Sequence, residues 1–341
     1  MANLLFLIGN GFDLNCGIKS KYKHAYDYYL SKTTDDSETI KKFKKDLLDN
    51  HENWADFEIG ISKYAQNLSN ESELIECIRD FRRALKNYLT LEEQKFYEYV
   101  NSVDGLIAQI NKEISRSLDS FYEGISYNIS SSISQIDSIR FITFNYTAIL
   151  DNIIYFRIPH MYETTEYNLG CLSDSVVHIH GSFHNTTPVL GVDRIDQLNV
   201  SYDLSSRGKR TIIKPTFNSE IDNRRISAAH NLINTTQYIC TFGLSLGLSD
   251  LTWRESIISW LNESNQNQLF VYDYSAYFKD NLEDDERLDE EEELKLKLFA
   301  DWKLDTSSKL WKQIHMPCGN KIFNYKAVIN EYVLKKEESS V

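Results

Sequence analysis

The chain has 341 residues, of which 42% are hydrophobic and 26% charged, which is the balance of a soluble globular protein with one large core or two smaller ones. Its formal net charge of −13 repels phosphate backbones, so this composition disfavours a nucleic-acid-binding protein. The five scattered cysteines include no CxxC pair, which argues against a disulfide framework or a structural zinc site and fits a reducing cytoplasm. No stretch approaches the roughly 18 apolar residues of a membrane span. We therefore expect a soluble, cytoplasmic protein without a membrane partner.

Five short apolar runs, rich in β-branched and aromatic residues, predict buried strands. In chain order they cover residues 4–8, 139–144, 176–179, 238–242 and 268–272. Apolar residues at helical spacing between these runs predict amphipathic helices, among them one that starts after Asp250 as its N-cap. Strands that alternate with helices predict an α/β fold built on a parallel sheet.

About 130 residues separate the first two strands, far more than the single crossover helix that a parallel pair needs. Their pattern is mostly helical. We therefore predict a helical insertion over residues 20–135, beside a sheet domain made of residues 1–19 and 136–341. The acidic run over residues 280–298 predicts a solvated helix, with a partner-binding acidic patch as the alternative.

The first strand breaks into a turn that contains Gly9, Asn10 and Gly11, with Gly17 six residues later. A strand that enters a helix through such a turn can present backbone N–H groups to a phosphate. Leu14 replaces the third glycine of a dinucleotide-binding fingerprint, and no Lys-Ser or Lys-Thr follows as a P-loop requires. Both of those site types are disfavoured, and a glycine turn that only packs tightly remains an alternative.

Polar residues follow three later strands of the predicted sheet. They are Asn145 in "FNYT", His180 and Gly181 in "HIHGS", and Gly243, Ser245 and Asp250 in "GLSLGLSD". Ligands bind outside the carboxyl ends of the strands in open parallel sheets, so we expect these residues to share one crevice with the glycine turn. His178 and His184 lie close to His180 in sequence and open an alternative metal site, although no cysteine or carboxylate completes an evident cluster.

The opening "LIGNGFDLNCGIKSKY", together with "FNYT", "HIHGS" and "WADFE" at residues 54–58, resembles the AbiH family of bacteriophage abortive-infection proteins over most of the chain. This resemblance implies antiphage defence, with a phage-derived trigger or a partner protein. Trp54 and Phe57 of "WADFE" are interpreted as helix-packing residues, and the alternative is that Glu58 reaches the pocket. The oligomeric state, including a homo-oligomer, stays open.

At greater distance, the same order of motifs is similar to the sirtuin superfamily, whose Rossmann-like sheet binds NAD. The similarity implies NAD as the substrate and Asn145 and His180 as the catalytic residues, and we expect no metal because no evident ligand cluster is present. It further implies NAD binding by Gly9, Asn10, Gly11, Phe12, Asp13, Gly17, Thr143, Tyr146, Gly181, Gly243, Ser245 and Asp250. Sirtuin deacylases carry a zinc ribbon with paired CxxC, which this sequence lacks. The similarity therefore implies hydrolysis of NAD to ADP-ribose and nicotinamide.

Each role follows from the chemistry of the side chain. Asn145 can bond a ribose hydroxyl or orient a water molecule, and His180, with an intrinsic pKa near neutrality, can accept a proton. Asp13 either bonds a ribose or caps the following helix. The alternative functions are a sensor that binds NAD or ADP-ribose without turnover, and a toxin that acts on nucleic acid.

Overall fold

The structure is a computed structural model, and it describes residues 2–32, 36–128, 136–155, 172–184, 187–273, 282–318 and 321–339. Its strands are β1 (Ala2–Ile8), β2 (Ile136–Thr143), β3 (Leu172–His178), β4 (Tyr238–Phe242), β5 (Gln268–Tyr272) and β6 (Ile314–His315). They form one parallel sheet in the order β3-β2-β1-β4-β5-β6. The predicted Rossmann-like α/β fold is confirmed, while its sirtuin-like character stays a prediction.

The strand order reverses between β1 and β4. The chain runs outward from β1 through β2 to β3, and then returns to place β4 on the other side of β1. Ligands of doubly wound sheets bind at such a reversal, outside the carboxyl ends of the strands. The topology therefore puts the turns after β1 and β4 side by side.

β1 lies in the middle of the sheet, and every side chain from Leu4 to Ile8 is buried. Leu4 and Phe6 belong to one hydrophobic core, and Leu5 and Leu7 belong to another. This alternation follows from the two-residue period of a strand. Because both faces of the sheet are covered, the strand is a continuous apolar run in the sequence.

Between β1 and β2, the described residues form helices and no strand. These helices are α1 (Asn10–Asn15), α2 (Tyr22–Ser31), α3 (Glu38–Asp49), α4 (Phe57–Tyr64), α5 (Glu71–Ser102) and α6 (Leu106–Asn128). The later helices are α7 (Ile149–Tyr155), α8 (Ser206–Ile212), α9 (Lys214–Ile221), α10 (Asn223–Asn234), α11 (Leu251–Glu263), α12 (Asp284–Trp302) and α13 (Tyr325–Ser339). The predicted helical character of the long segment after β1 is thus confirmed where the structure describes it.

The helices before β2 pack in two ways. α6 lies against the sheet, with Ile114 in the same core as β1. α2, α3, α4 and the first half of α5 build a separate core, in which the rings of Phe57 and Phe81 stack 4.4 Å apart. That core also contains Leu190 and Ile212 from the chain after β3. The helical segment and the sheet therefore share cores, while their division into two domains stays a prediction.

Trp54 and Phe57 are fully buried in this second core, as the packing interpretation of "WADFE" predicts. The acidic run forms α12, whose buried side chains include Phe299 and Trp302, and residues 280 and 281 lie outside the described residues. Cys16, Cys77, Cys240 and Cys318 are buried, and Cys171 lies outside the described residues.

The sequence analysis missed one strand, and it placed Asp250 correctly at the N-cap of α11 without its capping bond being present. β6 is two residues long, and a periodicity cannot be recognised over so short a run. Asp250 stands at the N-cap position of α11, but its side chain makes no capping bond. Instead, Asp193 Oδ2 accepts hydrogen bonds from Thr252 N at 2.6 Å and Thr252 Oγ1 at 2.7 Å. The side chain of Asp250 is thereby left for other contacts.

Candidate active site

Two glycine turns touch where the strand order reverses. The Gly9 N–H donates to the Phe242 carbonyl at 2.9 Å, and the Gly11 N–H donates to the Gly243 carbonyl at 3.0 Å. A Cβ atom on Gly9 or on Gly11 would lie 2.4 Å from the backbone of Gly243, so only glycine fits there. Backbone carbonyls accept both of these N–H groups, and the predicted contact between the backbone of this turn and a phosphate stays a prediction.

The loop from β4 to α11 carries local backbone strain. Gly243 has a φ of 62°, and Leu246, which is buried, has a φ of 47°. A leucine in the left-handed region costs conformational energy, and such residues cluster at functional sites. This loop carries Ser245 and Asp250 to the edge of a cavity.

A cavity of about 200 Å³ opens at the carboxyl ends of β1, β2, β3 and β4. The helical segment contributes a second wall, which includes Tyr22 and Glu58. The first residue of α9, Lys214, also lines the cavity. The site is therefore built jointly by the strand ends and the helical segment.

His180 and Asp250 form a buried pair in this cavity. His180 Nε2 lies 2.9 Å from Asp250 Oδ1, and Lys214 Nζ lies 3.2 Å from the same oxygen. Burial would raise the pKa of Asp250, but Lys214 and His180 outweigh burial and hold that pKa well below its usual range. Burial and then Lys214 lower the pKa of His180, against the opposing effect of Asp250. At neutral pH the pair is therefore a neutral imidazole that donates to a carboxylate.

The other ring nitrogen of His180 makes no hydrogen bond. Nδ1 is buried, and no described residue is its partner. Since Asp250 can only accept, the tautomer assigned from this geometry puts the proton on Nε2 and leaves a lone pair on Nδ1. His180 thus has the form that a general base needs.

Lys214 links the His180–Asp250 pair to Glu58. Its Nζ donates to the Ser249 carbonyl at 2.9 Å and lies 3.7 Å from Glu58 Oε1. Burial alone would lower the pKa of Lys214, but Asp250 and Glu58 outweigh it and raise that pKa above its ordinary range. Burial raises the pKa of Glu58 to about 8, although Lys214 acts in the opposite direction. Lys214 is thus charged at neutral pH, whereas Glu58 mostly keeps its proton.

Asp13 and Asn145 form a second buried cluster. Asn145 Nδ2 donates to Asp13 Oδ1 at 2.9 Å and to the Gly9 carbonyl at 3.1 Å, while Thr147 Oγ1 donates to Asp13 Oδ2 at 2.8 Å. Burial raises the pKa of Asp13 to about 7, although these hydrogen bonds oppose the shift. Both amide hydrogens of Asn145 are therefore in use, and its Oδ1 is the atom left to bind a ligand. The alternative in which Asp13 caps the following helix is wrong, because Lys21 occupies that N-cap position.

The three histidines do not form the alternative metal site. His178 Nε2 lies 2.8 Å from Asp151 Oδ2, and its Nδ1 contacts the Asn145 carbonyl at 3.1 Å. His184 Nε2 lies 2.8 Å from Glu93 Oε2. Across the described ranges, no three His, Cys, Asp or Glu residues are grouped so that they could hold a metal ion.

A comparison with models of protein families identifies the family to which this chain belongs. The family model described as "Bacteriophage abortive infection AbiH" matches residues 5–273, well over half of the chain. The chain belongs to the AbiH family. No curated protein matches it significantly. The AbiH match includes every residue that lines the cavity, and membership implies a role in antiphage abortive infection.

The AbiH chain has no membrane-spanning candidate among its described helices, since none combines the required length and apolar character.

The structure brings one group of predicted site residues together and leaves the others outside the cavity. Those that line it are Asn10, Asp13, Asn145, Tyr146, His180, Gly243, Ser245 and Asp250. Those that do not are Gly9, Gly11, Phe12, Gly17, Thr143 and Gly181. Phe12 packs in the sheet core with its ring 5.6 Å from that of Phe323, and Gly17 lines a separate cavity. Neighbours in a short turn point in different directions, which a motif match cannot reveal.

The sequence analysis missed the contributions of Tyr22, Asp56, Phe144 and Lys214 to the cavity of the AbiH chain. Lys214 had a usable signal, because it is the single charged residue inside the apolar stretch "TIIKPTF". The alternative in which Glu58 reaches the pocket is confirmed.

Proposed function

We propose that this AbiH protein is a cytoplasmic effector of abortive infection that hydrolyses NAD to ADP-ribose and nicotinamide. The observation that carries the proposal is the buried His180–Asp250 pair at the cavity wall, with Nδ1 of His180 left as a proton acceptor. A trigger from the phage, or a partner protein, would control the reaction. It consumes no cofactor besides NAD itself.

The reaction needs a base but no acid. When the bond between ribose C1′ and the nicotinamide nitrogen breaks, the electron pair leaves with the cationic ring and makes it neutral. A water oxygen bonds to C1′ through an oxocarbenium-like transition state, and His180 Nδ1 takes the proton of that water. Asp250 stays ionised and stabilises the imidazolium that forms, as the carboxylate of a catalytic triad does.

The walls of the cavity suit the cationic end of NAD. Aromatic rings of Tyr22, Phe144 and Tyr146 line it beside carboxyl groups, and aromatic faces attract cations. Lys214 is the one basic side chain other than histidine among the described residues that line it, and it already lies beside the Asp250 carboxylate and the Glu58 carboxyl group. The volume of about 200 Å³ lies below the roughly 300–1,000 Å³ of sites that enclose a whole drug-sized ligand. We therefore place the nicotinamide ribose inside and the pyrophosphate outside.

The test is nicotinamide release from NAD, followed by chromatography, with purified protein alone and with lysate of phage-infected cells. His180→Ala should lower release by roughly 100-fold or more, since positioned proton transfer contributes about 10²–10⁴-fold. Asn145→Ala removes the Oδ1 that is left to bind a ligand and should also lower release. His51→Ala, an exposed histidine outside the cavity, is the matched control and should keep the wild-type rate. Absence of nicotinamide release by the wild type in both conditions would refute the hydrolase.

A sensor that binds NAD or ADP-ribose without turnover is the second candidate. It is favoured by the amide of Asn145, whose two hydrogens are held by Gly9 and Asp13, so that only Oδ1 is left to contact NAD or ADP-ribose. Calorimetry with NAD beside the turnover assay separates the two, because a sensor releases heat of binding but no nicotinamide.

A further inference from the structure

Glu58 is a buried acid at the cavity that NAD hydrolysis does not use. It is 5% exposed, and it enters the cavity from the helical segment, across Lys214 from Asp250. Tyr22 donates its hydroxyl to Glu58 Oε1 at 3.1 Å. Lys214 also approaches Oε1, at 3.7 Å, so we assign the proton to Oε2, and the Glu58 carboxyl group makes a further side-chain hydrogen bond with Asp56.

Leaving-group chemistry separates two classes of N-glycoside. Nicotinamide in NAD is a cation and departs as a neutral molecule without help. A purine in a nucleoside or nucleotide is neutral and would depart as an anion unless an acid protonates it. A positioned general acid is therefore useful for purine N-glycosides and is not required for NAD.

We propose that the same cavity also hydrolyses the N-glycosidic bond of purine nucleosides and nucleotides, with Glu58 as the general acid. The inference rests on the proposed function, because it uses the same His180 and the same water. Glu58 Oε2 gives its proton to a ring nitrogen of the purine, and the C1′–N9 electron pair leaves with the base. The water oxygen bonds to C1′, and its proton goes to His180 Nδ1. The products are the free purine and the ribose or ribose phosphate, and the proton returns to Glu58 through solvent.

The surroundings of Glu58 support this role. Burial raises the pKa of Glu58 to about 8. Lys214 opposes this shift and the neighbouring carboxyl group of Asp56 adds to it, so the acid is mostly protonated at neutral pH. Tyr22, Phe144 and Tyr146 offer aromatic faces on which a purine can stack.

The experiment compares adenine release from AMP with nicotinamide release from NAD, using the full chain. Wild type should release both. Glu58→Gln keeps the shape and the acceptor for Tyr22 but removes the acid, so adenine release should fall by roughly 100-fold or more. Nicotinamide release should fall much less, so the ratio of the two rates is the signature. Glu52→Gln, an exposed glutamate of the same segment, should leave both rates unchanged.

The pH profile of the wild type separates a catalytic from a purely structural role of Glu58, because a structural role would not give the two reactions different pH dependences. Adenine release should decline as the pH rises through about 8, where Glu58 loses its proton, and nicotinamide release should lack that decline. This measurement decides the question even if Glu58→Gln does not fold.

The outcomes separate the two proposals. Nicotinamide without adenine overturns the purine activity and leaves the NAD hydrolase in place. Adenine without nicotinamide supports the purine activity and overturns NAD hydrolysis, and release of neither overturns both. An equal loss of both products in a folded Glu58→Gln, or an adenine profile flat across pH 8, also overturns the role of Glu58 as acid.

Discussion

Replacing Lys214 by methionine tests the electrostatic account of the site. Lys214 Nζ is buried between Asp250 Oδ1 at 3.2 Å and Glu58 Oε1 at 3.7 Å. Methionine fills nearly the same space, but it leaves the Asp250 carboxylate with only the neutral imidazole of His180 from this pair of partners. Removing one member of a buried ion pair costs about 3–5 kcal/mol, because the other charge stays buried without compensation. We expect Lys214→Met to lower the free energy of unfolding by about that amount.

Urea denaturation at pH 7 measures this effect, because Asp250 is then ionised in both the folded and the unfolded state. Lys209→Met, at an exposed lysine of α8, is the matched control and should stay within about 0.5 kcal/mol of wild type. Adding Asp250→Asn to Lys214→Met removes the uncompensated carboxylate, so the double variant should be more stable than the two single losses predict. A cost below about 1 kcal/mol for Lys214→Met, or strict additivity in the double variant, would refute the reasoning.

Two further predictions concern stability. Gly243→Ala should lower the free energy of unfolding by about 1–3 kcal/mol through overpacking, because its Cβ would lie 2.5 Å from Gly11 Cα. The control Gly247→Ala should lower it little, because a Cβ there meets nothing nearer than 3.7 Å. Equal losses of stability in thermal unfolding would contradict this. Asp13 has a folded pKa of about 7 against an ordinary 3.8, so its burial costs little below pH 3.8 and increasingly more up to pH 7. Denaturation at several pH values should therefore show Asp13→Asn gaining stability relative to wild type between pH 4 and pH 7, and a pH-independent difference would contradict it.

The strands were predictable because burial on both faces leaves a direct trace in the sequence. Residues 4–8, 238–242 and 268–272 are predominantly apolar runs, and each lies in a strand of the sheet. The polar residues just after the strands converge, because the carboxyl ends of parallel strands share one edge. Asn145, His180 and Asp250 thus reach one cavity by topology alone.

The helical wall of the site could not be read in the same way. Glu58 and Tyr22 reach the cavity through the core that α2 and α4 share with the chain after β3, which depends on contacts distant in sequence. The glycine turn left two interpretations open, because a phosphate cradle and a close backbone contact make the same demand, which is the absence of a Cβ. Only the position of Gly243 distinguishes the two.

The cap of α11 has a consequence for how the site assembles. A helix normally obtains its cap from the residue at its own start, but here the cap comes from Asp193, 59 positions away from Thr252. Because Asp193 supplies the cap, the Asp250 side chain contacts His180 and Lys214 instead. We expect a nascent or cleaved chain that lacks the Asp193 loop to lose this arrangement of the site. For a protein whose proposed activity drains the NAD of its own host, this restricts activity to the fully folded chain.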